Sequence, residues 1–237
     1  MSQEKKKKPL LMINDSKKRI GGNNPMDRTN EFQTSDTEKL CREVMYELGC
    51  LSGGQIVRIF AAHNRSEQVD VALNHMLRKG FIFEKGGFYT ASPLMGVDDG
   101  MIDCAEVFLN IVGNSLDNIV EPTIYTRTMP PAKISYSLDN KMFIFVPLQG
   151  NNVNTLPITL KNQHYNSFRD EEKYYDMYRY IYCIPYDYTE SQFLDFVEIL
   201  DSIKDYKLNT FFAKIIRDKG YDYPAKVKLE KYERKDE

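Results

Sequence analysis

The first third of the chain repeats apolar residues at helical spacing three times and then changes period. In TSDTEKLCREVMYELGC, Leu40, Cys41, Val44, Met45 and Leu48 recur on one helix face. Ser35 or Asp36 can cap the first turn, and Gly49 stops the helix. After Leu51-Ser52 a second helix is expected, capped by Ser52 and turning Ile56, Val57, Ile59 and Phe60 inward. A short polar break, AHNR, separates it from a third. That helix should start at Ser66 as N-cap, with Glu67 in the first turn where the helix dipole favours an acid. Val69, Ala72, Leu73, Met76 and Leu77 form its inward face, and Gly80 ends it. Beyond Gly80, FIFEKGGFYTAS alternates apolar and polar residues around Gly86-Gly87, which permit the positive φ of a tight hairpin turn.

A second unit is expected after the linker Gly96–Gly100. MIDCAEVFLNIVGNSLDNIV predicts a helix with Ile102, Ala105, Val107, Phe108, Ile111 and Val112 on a broad buried face. EPTIYTRTMPPA reads as a break holding a short strand. KISYSLDNKMFIFVPL predicts a hairpin that turns at Asp139-Asn140, its second strand apolar on both faces. A polar loop follows from Gln149 to Thr159. A strand at Tyr180–Ile184, a helix capped near Thr189 or Ser191 and a strand at Phe211–Ile216 then suggest a parallel βαβ crossover. The helix should bury Phe193, Phe196, Val197 and Leu200. Four segments result: an arm without fixed structure at 1–35, a unit at 36–95, an α/β domain at 101–220, and a charged C-terminal tail at 221–237 that should fray.

Composition narrows the class. With 42% hydrophobic and 28% charged residues the chain is ordinary for a globular protein, and no run nears the ~18 apolar residues of a membrane span. The basic start is followed only by PLLMI, too short for a secretory leader, so a cytoplasmic protein without membrane contact is expected. Cys41, Cys50, Cys104 and Cys183 are scattered without metal-ligand spacing, which predicts reduced structural thiols. The net charge of −2 hides an asymmetry. Residues 1–30 hold eight Lys/Arg against three Asp/Glu, residues 36–92 seven against seven, and 93–237 seventeen against twenty-three. The front of the chain is therefore basic, which reads equally as a solubilising tail or as an arm suited to phosphates.

SEQVDVALNHMLRKGFIFEKGGFYTAS resembles bacterial winged helix-turn-helix domains, in which an apolar helix ending hxxKGhI precedes a short hairpin. The whole layout, three helices and a hairpin wing followed by a small mixed α/β domain, is similar to winged-helix proteins of bacterial plasmids and conjugative elements, the replication-relaxation group. The resemblance implies an α+β or α/β chain that binds double-stranded DNA on a mobile element, in replication, transfer or local transcriptional control. The third helix would enter the major groove with Arg65, Ser66, Gln68, Val71 and His75 toward base edges. Gln68 has the amide fork that suits adenine, and Arg65 can reach guanine or a phosphate. Lys85 would sit at the wing tip, while Arg58, Arg78 and Lys79 would add phosphate contacts. Glu67 and Asp70 depart from a basic recognition helix and leave much of the attraction to the arm. The same neutrality keeps open a protein-interaction or dimerisation module.

No catalytic constellation stands out. A nuclease-like core would need a strand acid followed by a Glu-x-Lys pair, whereas Asp139 and Lys141 bracket a turn and MFIFVPLQ offers only Gln149. A nuclease-like core here is accordingly expected to be degenerate. P-loop, GxGxxG, GxSxG and HExxH patterns are missing, and His63, His75 and His164 are isolated. YYDMYRYIYCIPYDY reads as a tyrosine-rich packing edge rather than a base-stacking platform, because its neighbours are acidic. The expectation is a protein without catalysis, metal or cofactor, binding duplex DNA and, through the α/β domain, a second copy or a protein partner.

Overall fold

A computed structural model describes residues 36–62, 68–111, 124–125, 130–149, 153–168, 171–221 and 223–234. Helix α1 (Asp36–Leu48) buries Cys41, Met45 and Leu48, one side of its predicted face. It stops at Gly49, whose φ of +75° only glycine adopts without strain and whose N–H donates to Met45 O at 2.8 Å. Strand β1 (Cys50–Ser52) follows at once, where the sequence suggested only a link. Ser52 and Gln55 form a reciprocal cap. Ser52 Oγ accepts from Gln55 N at 3.2 Å and Gln55 Oε1 accepts from Ser52 N at 3.1 Å. They start α2 (Gly53–Ala62), which buries Gln55, Ile56, Ile59 and Phe60 but leaves Val57 outward. The predicted cap Ser66 and acid Glu67 lie outside the described residues.

Helix α3 (Val69–Arg78) buries Val69, Ala72, Leu73 and Met76. The chain then turns through Gly80 (φ +67°), where Phe81 N donates back to Met76 O. Strands β2 (Phe83–Lys85) and β3 (Phe88–Thr90) pair antiparallel around Gly86 and Gly87, with φ of +61° and +86°. Two successive positive φ values match the right-handed twist of the strands. β1 joins the other side of β3, giving the order β1-β3-β2.

Helix α4 (Asp99–Ile111) starts from Asp98, whose Oδ1 accepts from Met101 N at 3.0 Å. Every residue from Gly100 to Leu109 is buried. The helix lies between the N-terminal elements and a six-stranded sheet in simple chain order: β4 (Ile124–Tyr125), β5 (Ile134–Leu138), β6 (Lys141–Pro147), β7 (Tyr178–Ile184), β8 (Thr210–Ile216) and β9 (Lys226–Lys231). β6, β7 and β8 run parallel, and the outer pairings are antiparallel. Helices α5 (Leu156–Phe168) and α6 (Glu172–Met177) carry the first crossover, which the sequence did not suggest, and α7 (Glu190–Ser202) carries the second, where the strand–helix–strand pattern predicted it. The chain is thus a mixed α+β protein with seven α-helices and two sheets among the described residues.

The alternation of the central strands divides the core. Phe145, Ile181, Cys183, Ala213 and Ile215 face α4 and join a cluster that runs on to Met45, Phe60 and Met76. Val146, Tyr182, Ile184 and Phe212 face α5 and α7, against Leu160, Phe196 and Leu200. Residues 35–237 accordingly form one compact unit.

Two further segments differ from expectation. The polar stretch ending at Thr159 gives way to α5 from Leu156, which buries Leu156, Leu160 and His164. The C-terminal segment read as a tail forms β9, whose mostly exposed, charged positions suit the edge of a sheet. The four cysteines are free and buried, and burial pushes the Cys41 thiol up to about 12. No described helix is long and apolar enough to cross a membrane.

Candidate functional site

Two surfaces carry chemistry, and a buried charge cluster lies between the elements that form them. Glu106, on the second turn of α4, is 1% exposed. Its Oε1 accepts from Arg58 Nη1 at 2.6 Å, Asn110 Nδ2 at 3.1 Å and Ala225 N at 3.0 Å, and its Oε2 accepts from Gln55 Nε2 at 3.3 Å. Arg217 Nη2 stands 3.9 Å from Oε2. A carboxylate this deep needs such donors to offset lost hydration. Here they tie α2 and the lead-in to β9 onto α4.

The first surface is the outer face of α3. Asp70, Val71, Asn74 and Arg78 recur there at three- and four-residue spacing, and all four are exposed, Val71 to 72%. Gln68 is exposed at the helix start. Asn74 was not among the sequence-predicted contacts, although it falls between Asp70 and Arg78 in the i, i+4 row. The other candidate contacts divide sharply. Arg58 is held by Glu106, and His75 and Lys79 both pair with the buried Glu38 of α1, Lys79 at 3.6 Å. Lys85 donates to Pro93 O at 2.9 Å and Met95 O at 2.6 Å, which fixes the chain leaving the hairpin. Arg65 and Ser66 lie outside the described residues. Val71, Arg78 and the exposed Gln68 therefore remain on the outward side, while four of the candidate cations and imidazoles are engaged internally.

The second surface is a cavity of about 650 Å³ at the carboxyl ends of β6, β7 and β8. Asp99 and Asp103 reach it from α4, Leu148 and Gln149 follow β6, and Pro185 to Tyr188 follow β7. Gln192, Asp195 and Phe196 line it from α7, and Tyr221 from the loop after β8. Gly100 lets α4 approach this end of the sheet, since a Cβ there would meet the Pro147 ring at 3.0 Å. Asp103 is 3% exposed, and its Oδ2 accepts from Gln149 Nε2 at 2.6 Å. Desolvation raises its carboxyl to about 7, against the opposing Gln149 hydrogen bond and the Arg217 charge. Arg217 covers one face of Tyr221 at 4.3 Å, and Tyr186 meets Tyr221 edge-on at 6.4 Å. Tyr221 also touches the N-terminal elements, packing edge-on against Phe88 at 5.1 Å and accepting at its carbonyl from Ser52 Oγ at 3.2 Å.

No family model, curated protein or solved structure matches this chain. The functional assignment therefore rests on its own residues. Asp139 and Lys141 stand at the β5–β6 turn, remote in sequence from Gln149, and Gln149 faces Asp103. Among the described residues no group of three His, Cys, Asp or Glu side chains could hold a metal ion.

Proposed function

We propose that the chain is a non-enzymatic duplex-DNA-binding protein whose residues 36–95 act as a winged helix, with α3 in the major groove and the β2–β3 hairpin as its wing. The observation that carries this reading is the pairing of an α3 whose inner face is fully packed with an outer row, Asp70, Val71, Asn74 and Arg78, open to solvent beside a two-glycine hairpin. The element order of helix, strand, helix, helix and hairpin, with β1 closing the sheet, supports it. Gln68 and Asn74 carry amide forks for base edges, and Val71 can meet a thymine methyl. Arg78 supplies one phosphate contact, so the eight Lys/Arg of residues 1–30 supply most of the electrostatic attraction. Service on a bacterial mobile element follows from the sequence resemblance.

Fluorescence anisotropy of the full chain on duplex DNA from its own locus, across a salt series, tests the proposal. The wild type should bind with a steep salt slope, and Gln68→Ala/Asn74→Ala/Arg78→Ala should lose site preference. Absence of binding at low salt sinks it. A second reading, in which the same unit packs on a protein, draws on the internal engagement of Arg58, His75, Lys79 and Lys85 and on the exposed Val71. Light scattering on the wild type and Val71→Asp separates the two, because only a protein interface would dissociate.

A further inference from the structure

We propose that the cavity at the carboxyl ends of β6, β7 and β8 is a binding site for a small organic cation bearing an ammonium or guanidinium group. It is independent of the DNA-binding reading. A cavity of about 650 Å³ lined by aromatic rings and convergent polar groups suits a small molecule.

The buried Asp103 carboxyl points to the ligand's charge. Asp103 is 3% exposed and lines the cavity, and its Oδ2 accepts from Gln149 Nε2 at 2.6 Å. A carboxylate so far withdrawn from water gains most from a charged N–H. Asp99, Asp187 and Asp195 add carboxylates to the same walls, and no Lys, Arg or His is among the described lining residues. Arg217, whose charge acts on Asp103, stands 3.9 Å from Glu106 Oε2 and is stacked on Tyr221.

The walls also select an organic cation over other ligands. Tyr186, Tyr188 and Tyr221 offer ring faces and edges to an ammonium or guanidinium with an alkyl body. An inorganic divalent ion lacks the three-ligand cluster it would need among the described residues. An anion is opposed by four carboxylates, and the start of α7 is closed to it by the Thr189–Gln192 capping box. A cationic ligand favours ionised Asp103, so affinity should rise with pH through about 7 and binding should release a proton. Burial sets this titration first and the Gln149 hydrogen bond opposes it, while Arg217 after β8 lowers it and Asp99 on the same helix and Asp187 after β7 raise it.

The test is calorimetric titration of the full chain with agmatine, spermidine and arginine amide at pH 6 and pH 8, beside MgCl₂ and AMP at matched ionic strength. Saturable one-to-one binding of at least one organic cation, tighter at pH 8, is expected. Asp103→Asn should weaken it roughly tenfold or more. Asp187→Asn/Asp195→Asn, at exposed rim positions, should also weaken it and serves as the probe should Asp103→Asn fail to fold. Absence of saturable binding by all three cations overturns the proposal. So does binding unchanged in the folded variants, or equal binding of Mg²⁺ or AMP.

Discussion

Arg58→Ala distinguishes a residue that holds the fold from one that contacts DNA. The side chain is 20% exposed, and its Nη1 donates at 2.6 Å to a Glu106 side chain that is 1% exposed. A hydrogen bond to a charged group contributes about 1.5–3 kcal/mol, and stranding a buried charge costs about 3–5 kcal/mol. Glu106 keeps Gln55, Asn110 and Ala225 N as donors, so the full stranding penalty does not apply. The expected loss is about 2–3 kcal/mol. With an m-value near ~3 kcal/mol/M for a chain of this size, the urea midpoint should fall by roughly 1 M with m unchanged. Glu106→Gln should show a coupling energy to Arg58→Ala of about 1–2 kcal/mol in a double-mutant cycle. DNA affinity, measured well below the unfolding transition, should keep its salt slope, whereas loss of a phosphate contact would lower that slope by about 0.9. An unchanged midpoint together with a reduced salt slope would refute the structural role and return Arg58 to the DNA surface.

Three further outcomes follow from the packing and the titration of single residues. Phe108→Ala empties a fully buried site whose ring meets Tyr136 at 5.2 Å and Phe145 at 5.8 Å, and should cost about 3–5 kcal/mol by urea denaturation. Gly86→Ala has no atom within 4 Å to clash with, so its cost of about 1–2 kcal/mol should reflect the +61° φ alone, and thermal unfolding would read it. Asp103 is held protonated in the folded state up to about pH 7, from an ordinary value of 3.8, so the unfolded chain ionises first. Wild-type stability should therefore fall relative to Asp103→Asn as pH rises from about 4 to 7, by up to a few kcal/mol, and stay level above about pH 8. Parallel or inverted curves would show that Asp103 carries no such desolvation.

Several elements were legible in the sequence because what makes them lies within a few residues. The Cys41, Met45 and Leu48 stripe with Gly49, the Gly86-Gly87 turn and the Thr189 cap of α7 are all local signals, and each stands where the chain predicts it. The strand–helix–strand spacing likewise led to the parallel β7–α7–β8 unit. Elements that exist only because a neighbour is present were not legible. Cys50–Ser52 is a strand because β3 offers it an edge, and KVKLEK is a strand because β8 does. Helix α5 carries its buried Leu156, Leu160 and His164 among too many polar residues to show a period. Charged side chains marked the same boundary most clearly. Arg58 read as a phosphate contact and Lys85 as a wing-tip residue, and nothing singled out Glu106, yet Glu106 meets Arg58 from 48 residues away and Ala225 N from 119. Periodicity, caps and turns follow from adjacent residues, so the chain alone determined them. The partner of a charge, and with it whether that charge faces solvent or the core, depends on which distant segments the fold brings within hydrogen-bond reach, and only the tertiary structure decided that.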